Sequence, residues 1–207
     1  MTEAVVGIDL GSSGSGFAYA FKDNEEEIIH GSIPGVNVDN KVPTEIILND
    51  ESETIKFSAY CASYMKEKGL KAGNYFKRIK MLLYEKKTSI EVKNKGKILP
   101  LKLVIQRVLE KLKELAFAQI KSNHPTIILQ NIKWVVAVSV IWEEFEKNIM
   151  MEACIDAGLV KEDVDKSLFF ALEPKAASCY CLKNKSIDHN YLQKGKWYII
   201  CDLGGGT

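Results

Sequence analysis

The chain is short of the features that would send it to a membrane or a nucleic acid. Its N-terminus has no basic segment followed by an apolar stretch, and no apolar run approaches the roughly 20 residues that cross a bilayer, so neither a secretory leader nor a membrane span is expected. An excess of one charge is also lacking. With 28 Lys and Arg against 27 Asp and Glu, the formal net charge of +1 leaves no electrostatic footprint for nucleic acid or an anionic lipid surface. The 5 cysteines (Cys61, Cys154, Cys179, Cys181, Cys201) are odd in number and scattered through mostly apolar settings, which is the pattern of reduced core thiols and not of a disulfide framework. Cys179-Tyr180-Cys181 is a lone Cys-x-Cys without a second pair or a histidine cluster, which argues against a zinc site. Cytoplasm is the expected compartment. What is present is a length of 207 residues with 46% hydrophobic content, enough for one large or two small domains with a real core.

The stretch Val5 to Phe21, VVGIDLGSSGSGFAYAF, sets an apolar strand, an aspartate and a small-residue turn in succession before the chain returns as another strand. Glycines permit positive φ and close approach of a ligand to the backbone, and successive N–H groups in such a turn can point at one anion. Asp9 at the strand's end would repel a phosphate, so an intermediary is required, and a hydrated Mg2+ ion held by few carboxylates suits the position. A plain β-hairpin with a Gly/Ser turn is the alternative for one such turn. A second one follows at the far end, where the apolar run Trp197–Cys201 leads into Asp202-Leu203-Gly204-Gly205-Gly206-Thr207. Two loops of one design can grip a polyphosphate from both sides.

In chain order, strands are expected at about 4–10, 15–22 and 27–33, joined by the Gly/Ser turn and by the acidic turn Asp23–Glu26, with Pro34-Gly35 ending the meander. Short strands follow at Glu45–Leu48 and Thr54–Phe57, then a helix capped by Ser58 that stops at Gly69. The lysine-rich stretch 85–97 reads as a hairpin turning at Asn94-Lys95-Gly96, its charges a solvated edge. Leu101, Val104, Ile105, Val108, Leu112, Leu115 and Ile120 recur at helical spacing, predicting a long amphipathic helix over about 101–121. Trp134–Val138 reads as a buried strand. A helix over about 143–157 has three glutamates at its start and Gly158 past its end; Leu168–Leu172 is a strand, and Pro174 opens a helix to about Lys183. The order, three meander strands, an inserted segment and then α-β-α-β-α, predicts an α/β fold with a mixed five-stranded sheet of the ribonuclease-H-like kind.

The two stretches IDLGSSG and CDLGGGT resemble the paired phosphate motifs of the actin-like ATPase superfamily, and the wording is closest to the seventy-kilodalton heat-shock chaperones. Ala171-Leu172-Glu173-Pro174-Lys175-Ala176-Ala177 resembles their connecting motif, and the order of the three motifs is right. Tyr75-Phe76-Lys77-Arg78-Ile79-Lys80-Met81-Leu82-Leu83 is similar to the divergent animal branch numbered twelve, and the likeness runs over nearly all of the chain before stopping at Thr207.

That resemblance implies residues 1–190 as a first ATPase lobe with a small inserted α+β subdomain at about 41–100, and 191–207 as the opening strand of a second, missing lobe, with ATP or ADP and Mg2+ in the cleft between lobes. Position by position it implies Asp9 and Asp202 on the metal side and the turn Gly11, Ser12, Ser13, Gly14 on the β-phosphate, with serines where the chaperones carry threonines. Gly204, Gly205, Gly206 and Thr207 form the second grip. Glu173 would order the attacking water, although a helix-start carboxylate is favoured by the dipole in any case. Lys77 aligns with the phosphate-contacting lysine, with Lys80 as its competitor and a solvated basic loop as the ordinary reading of both. Ser139 stands where the chaperones have a switch proline and Lys147 where they have a relay arginine, which puts chaperone-type coupling in doubt. Possible partners are protein clients or co-chaperones. A sugar or metabolite kinase of the same fold, or a nucleotide-dependent scaffold without turnover, remains an alternative. The chain as it stands is expected to bind ATP weakly, without turnover, and to self-associate or fray near its C-terminus.

Overall fold

Alternation in the first strand sets the frame of the molecule. In β1 (Ala4–Leu10) the side chains of Ala4, Val6, Ile8 and Leu10 are buried, whereas Val5, Gly7 and Asp9 lie on the more open face, as the two-residue period of a strand requires. The computed structural model describes residues 2–32, 41–92, 97–160, 167–183, 195 and 197–204; the turns expected at Pro34-Gly35 and Asn94–Gly96 lie outside the described residues. β1 runs antiparallel to β2 (Gly14–Phe21), which pairs in turn with β3 (Asn24–His30). Here the reversal is tighter than the acidic turn read from the sequence: Asn24 already pairs with Phe21, so the charged residues 25–27 sit in an exposed edge strand.

The next segment builds a second sheet. After β4 (Val42–Pro43), which pairs with β2 at Ser15 and Gly14, come β5 (Glu45–Leu48), β6 (Thr54–Phe57) and β7 (Asn74–Lys77) in the order β6-β5-β7. Helix α1 (Tyr60–Lys68) leaves β6 without the cap expected of Ser58. Ser58 takes φ +60° and its buried hydroxyl has no hydrogen-bond partner among the described residues; its carbonyl accepts the N–H of Cys61 at 2.9 Å instead. Helix α2 (Ile79–Tyr84) and the hairpin of β8 (Ser89–Glu91) with β9 (Ile98–Pro100) complete the segment.

The long helix α3 (Leu101–Asn123) buries Leu101, Val104, Ile105, Val108, Leu109, Leu112, Ala116 and Ile120, the face predicted from spacing, against the buried face of the first sheet. β10 (Ile132–Val138) joins β1 in parallel, and α4 (Glu144–Asp156) follows, started by a reciprocal cap between Glu143 and Glu146 and closed by Gly158 at φ +68°. β11 (Leu168–Leu172) joins β10 in parallel and leads directly into α5 (Glu173–Lys183). The molecule is thus mixed α/β, and its main sheet has the order β11-β10-β1-β2-β3, with β4 as a sixth strand off β2.

Two sequence expectations fail. Residues Trp197–Cys201 are not a strand: they pair with no neighbour among the described residues, and Trp197, Ile199 and Leu203 are almost wholly exposed. A run of strand-forming residues makes a strand only where another strand offers its N–H and C=O groups. The cysteines are not uniformly core residues either. Cys61 and Cys154 are buried and their thiols pushed up to about 12 by burial, but Cys179 and Cys201 are exposed and Cys181 half-buried. No helix among the described residues is long and apolar enough to cross a membrane.

Candidate functional site

Three parallel strands deliver their ends to one edge of the sheet. The register aligns Asp9 with Ala137 and Ala137 with Ala171, so the Gly11 turn, Ser139 and Glu173 all emerge together beyond β1, β10 and β11. Ligands of open α/β sheets bind beyond the carboxyl ends of such strands. A cleft of about 830 Å³ opens there, lined by Asp9, Gly11, Ser12, Ser13, Gly14, Lys41, Lys80, Glu173, Asp202 and Gly204, and walled by the small residues Ala18, Ala137, Ala176 and Ala177. Strand alternation explains the Asp-Leu-Gly wording. Leu10 is wholly buried and anchors the strand end in the core, while its neighbour Asp9 is turned to the cleft.

The turn itself is held by a residue that sequence reading passed over. The Thr44 hydroxyl donates to the carbonyl of Gly11 at 2.8 Å and lies 2.7 Å from the Ser15 hydroxyl, and the Thr44 N–H donates to the Ser13 carbonyl at 3.0 Å. Because Thr44 has one hydroxyl proton and directs it to Gly11, Ser15 is the donor in the second contact. Thr44 and Ser15 are both buried. Neither Gly11 nor Gly14 adopts a positive φ, so conformational freedom is not what the turn needs from them. A Cβ on Gly11 would collide with the carbonyl oxygen of Gly14; glycine is required for close approach.

Charge converges on the same place. The Lys41 ammonium is 2.5 Å from Oδ2 of Asp9. Partial burial works against that ammonium, but its bond to Asp9 and the charges of Asp9, Asp202 and Glu173 outweigh the cost and hold its pKa above the ordinary lysine value. Lys80 is buried, ion-paired with Glu173, and lies 5.6 Å from the centre of the Trp142 ring, a cation–π distance. Asp202 lines the cleft although its segment is not a strand; a hydrogen bond of 3.0 Å between Ser178 and Tyr198 ties that segment to α5.

Of the residues singled out from the sequence, the structure brings together Asp9, Gly11–Gly14, Glu173, Asp202 and Gly204. It does not bring Lys77, which is exposed at the end of β7, away from the cleft lining; a left-handed bend at Arg78 (φ +53°) separates it from α2, which carries Lys80 inward. Gly205, Gly206 and Thr207 lie outside the described residues. Ser139 accepts the N–H of Trp142 at 3.3 Å in the bend after β10, and Lys147 is half-buried on α4. Besides the Cys201 thiol, the side-chain donors lining the cleft include the carboxylates of Asp9, Glu173 and Asp202 and the hydroxyls of Ser12 and Ser13, oxygens that suit a hard cation such as Mg2+, and Asp9 already draws a cation in Lys41.

No family model matches the chain. Human heat shock 70 kDa protein 12B is 32% identical, aligning with 98% of this chain, which spans 38% of that protein's length. Heat shock 70 kDa protein 12A is 31% identical in the mouse and 30% in the human form, each aligning with 86% of the chain and with 28% of its own length. The chain therefore spans well under half of the curated relatives it matches. Together with the motif order on which the resemblance rested, these matches show that the chain is related to the twelve branch of the seventy-kilodalton heat-shock protein family.

Proposed function

We propose that the chain is the first lobe of an actin-like ATPase of the ribonuclease-H-like kind, and that the cleft beyond β1, β10 and β11 takes the phosphates of ATP or ADP with Mg2+. The observation that carries this reading is the convergence, on one strand edge, of an aspartate, a glycine turn too tight for any side chain at Gly11, and an ion-paired lysine. Residues 1–190 make the lobe, with 41–100 as its smaller insertion, and 191–207 lead toward a second lobe. The second sheet and the β8–β9 hairpin falling within 41–100 support that division.

In this reading Asp9 and Asp202 hold the ion, which when bound offsets charge on the β- and γ-phosphates. The backbone N–H groups of Ser12, Ser13 and Gly14 would hold the β-phosphate, and Thr44 fixes the turn that carries them. Lys80 takes the role that the resemblance carried to Lys77. Its ammonium sits in a largely dry wall, where a fixed charge acts on a phosphoryl group more strongly than in water. Glu173 orients that ammonium through their ion pair and stands at the cleft for a water. Protein clients and co-chaperones, and a cytoplasmic location, go with the same reading.

Titration calorimetry of the chain with Mg·ATP tests it, using Asp9→Asn, which keeps volume and removes charge. Heat that depends on Mg2+ in the parent and is lost in a folded Asp9→Asn is the expected result. Equal binding by the two would remove Asp9 from the site.

A further inference from the structure

Lys41 is a cleft residue to which the proposed function gives no task. Its backbone cannot leave the phosphate turn: it directly precedes β4, whose Val42 and Pro43 pair with Ser15 and Gly14, and a Cβ placed on Gly14 would lie 3.5 Å from that of Lys41. The head is freer, since the side chain is 59% exposed. That head rests 2.5 Å from Asp9, the carboxylate assigned to the metal, and feels Asp202 and Glu173 as well.

We propose that Lys41 is a stand-in cation: its ammonium occupies the metal side of Asp9 while the cleft is free of nucleotide, and it turns to the phosphate oxygens of a nucleoside diphosphate or triphosphate when a divalent ion takes that carboxylate. The inference rests on the proposed nucleotide cleft. A divalent ion and an ammonium held at contact distance by one carboxylate repel each other, so binding of the ion weakens the hold of Asp9 on Lys41 and favours its displacement. Once displaced, the four-carbon stem still holds the charge over the turn Gly11–Gly14, where the incoming anion lies. The two consequences have opposite sign. Lys41 opposes binding of a bare divalent ion and favours binding of the metal–nucleotide.

Lys41→Met keeps the stem and deletes the charge. Binding of Mn2+ alone, followed by water-proton relaxation, and of ADP in the presence of Mn2+, followed by calorimetry, are measured on the chain and this variant, with Asp9→Asn and the double variant as controls. The expected result is an Mn2+ affinity raised about fivefold in Lys41→Met, the weight of one half-exposed ion pair, an ADP affinity lowered by a similar factor, and no gain in Mn2+ affinity when Asp9 is also changed. A purely structural role would lower both affinities, and Lys41→Arg would keep the parent behaviour only if charge is what matters. Unchanged Mn2+ and ADP affinities, or losses in both, overturn the inference while leaving the nucleotide cleft in place. A parent chain that binds no ADP overturns the cleft and the inference together.

Discussion

Thr44→Val is the sharpest perturbation of the Gly11–Gly14 turn, because it keeps the shape of the side chain and replaces only the hydroxyl. That hydroxyl gives its proton to Gly11 and receives one from Ser15, with Ser15 wholly buried and Thr44 2% exposed. Valine strands both partners. A buried polar group left unpaired costs about 1–3 kcal/mol, so the single change should destabilise the fold by about 2–4 kcal/mol, less whatever Ser15 recovers by turning its proton elsewhere. In a chain of this length each kcal/mol moves the midpoint by about 2–4 °C, which puts the shift at roughly 5–15 °C. Urea and thermal unfolding followed by circular dichroism measure it. The specific part of the claim is the coupling: Ser15→Ala removes the second hydroxyl, so the pair Ser15→Ala with Thr44→Val should be less harmful than the sum of the two by about 1 kcal/mol. Additive losses would show that the two hydroxyls do not bond as drawn, and a loss below about 0.5 kcal/mol for Thr44→Val would show that the turn does not depend on Thr44. Mg·ATP affinity should fall alongside stability, because a loosened Gly11 carbonyl no longer fixes the amides that follow it.

The two lysines of the Tyr75–Leu83 stretch separate in a binding assay: Lys80→Ala should weaken Mg·ATP at least tenfold, as loss of one buried charge contact does, and Lys77→Ala, at an exposed strand end, should change it little. Equal small effects would give the role to neither lysine, and a larger loss for Lys77→Ala would return it to Lys77. Cysteine labelling gives a structural check independent of any ligand. With Cys61 and Cys154 raised to about 12, both stay protonated thiols at pH 8, and burial shields them, so a thiol reagent should modify the exposed Cys179 and Cys201 rapidly and the buried pair only on unfolding. Rapid native labelling of Cys154 would mean that the α3–α4 packing is wrong.

Most of the scaffold was legible because it rests on periodicity. The strands at 45–48, 54–57 and 168–172 follow from short apolar runs bounded by polar residues, and the α3 stripe from helical spacing over several turns. The Gly11–Gly14 turn was legible for another reason: alternation at Asp9-Leu10 must send one residue into the core and the other out, and the glycine after them marks the tight reversal. What escaped is what two residues or a distant contact decide. β4 is two residues long and has no period, so nothing local marked Thr44 or Lys41 as neighbours of the turn; a hydroxyl after Pro43 was the only trace. Lys77 and Lys80 look alike in sequence, and a left-handed bend at Arg78, invisible to spacing, decides which faces the cleft. Trp197–Cys201 failed in the opposite direction, for it is an apolar run of strand formers with no strand to pair with among the described residues.

The same contrast bears on how the site works. A glycine turn at a hairpin end is flexible if only its own two strands hold it, and amides that wander cannot favour one anion over another. Here the turn is closed from outside through three hydrogen bonds of Thr44, the residue after β4, and β4 is preceded by Lys41, whose charge is bound to Asp9 at the cleft. One short segment thus carries both the hydroxyl that stiffens the Gly11–Gly14 turn and the cation beside Asp9. Displacing Lys41 from Asp9 therefore moves the head of a residue whose backbone is part of the cradle. The mechanical link makes a second expectation for the Lys41→Met variant: its unfolding midpoint should change by no more than the small weight of a half-exposed ion pair, about 1 kcal/mol or less, because the Thr44 bonds remain. A larger loss would mean that the ion pair, and not Thr44, holds β4 against the turn.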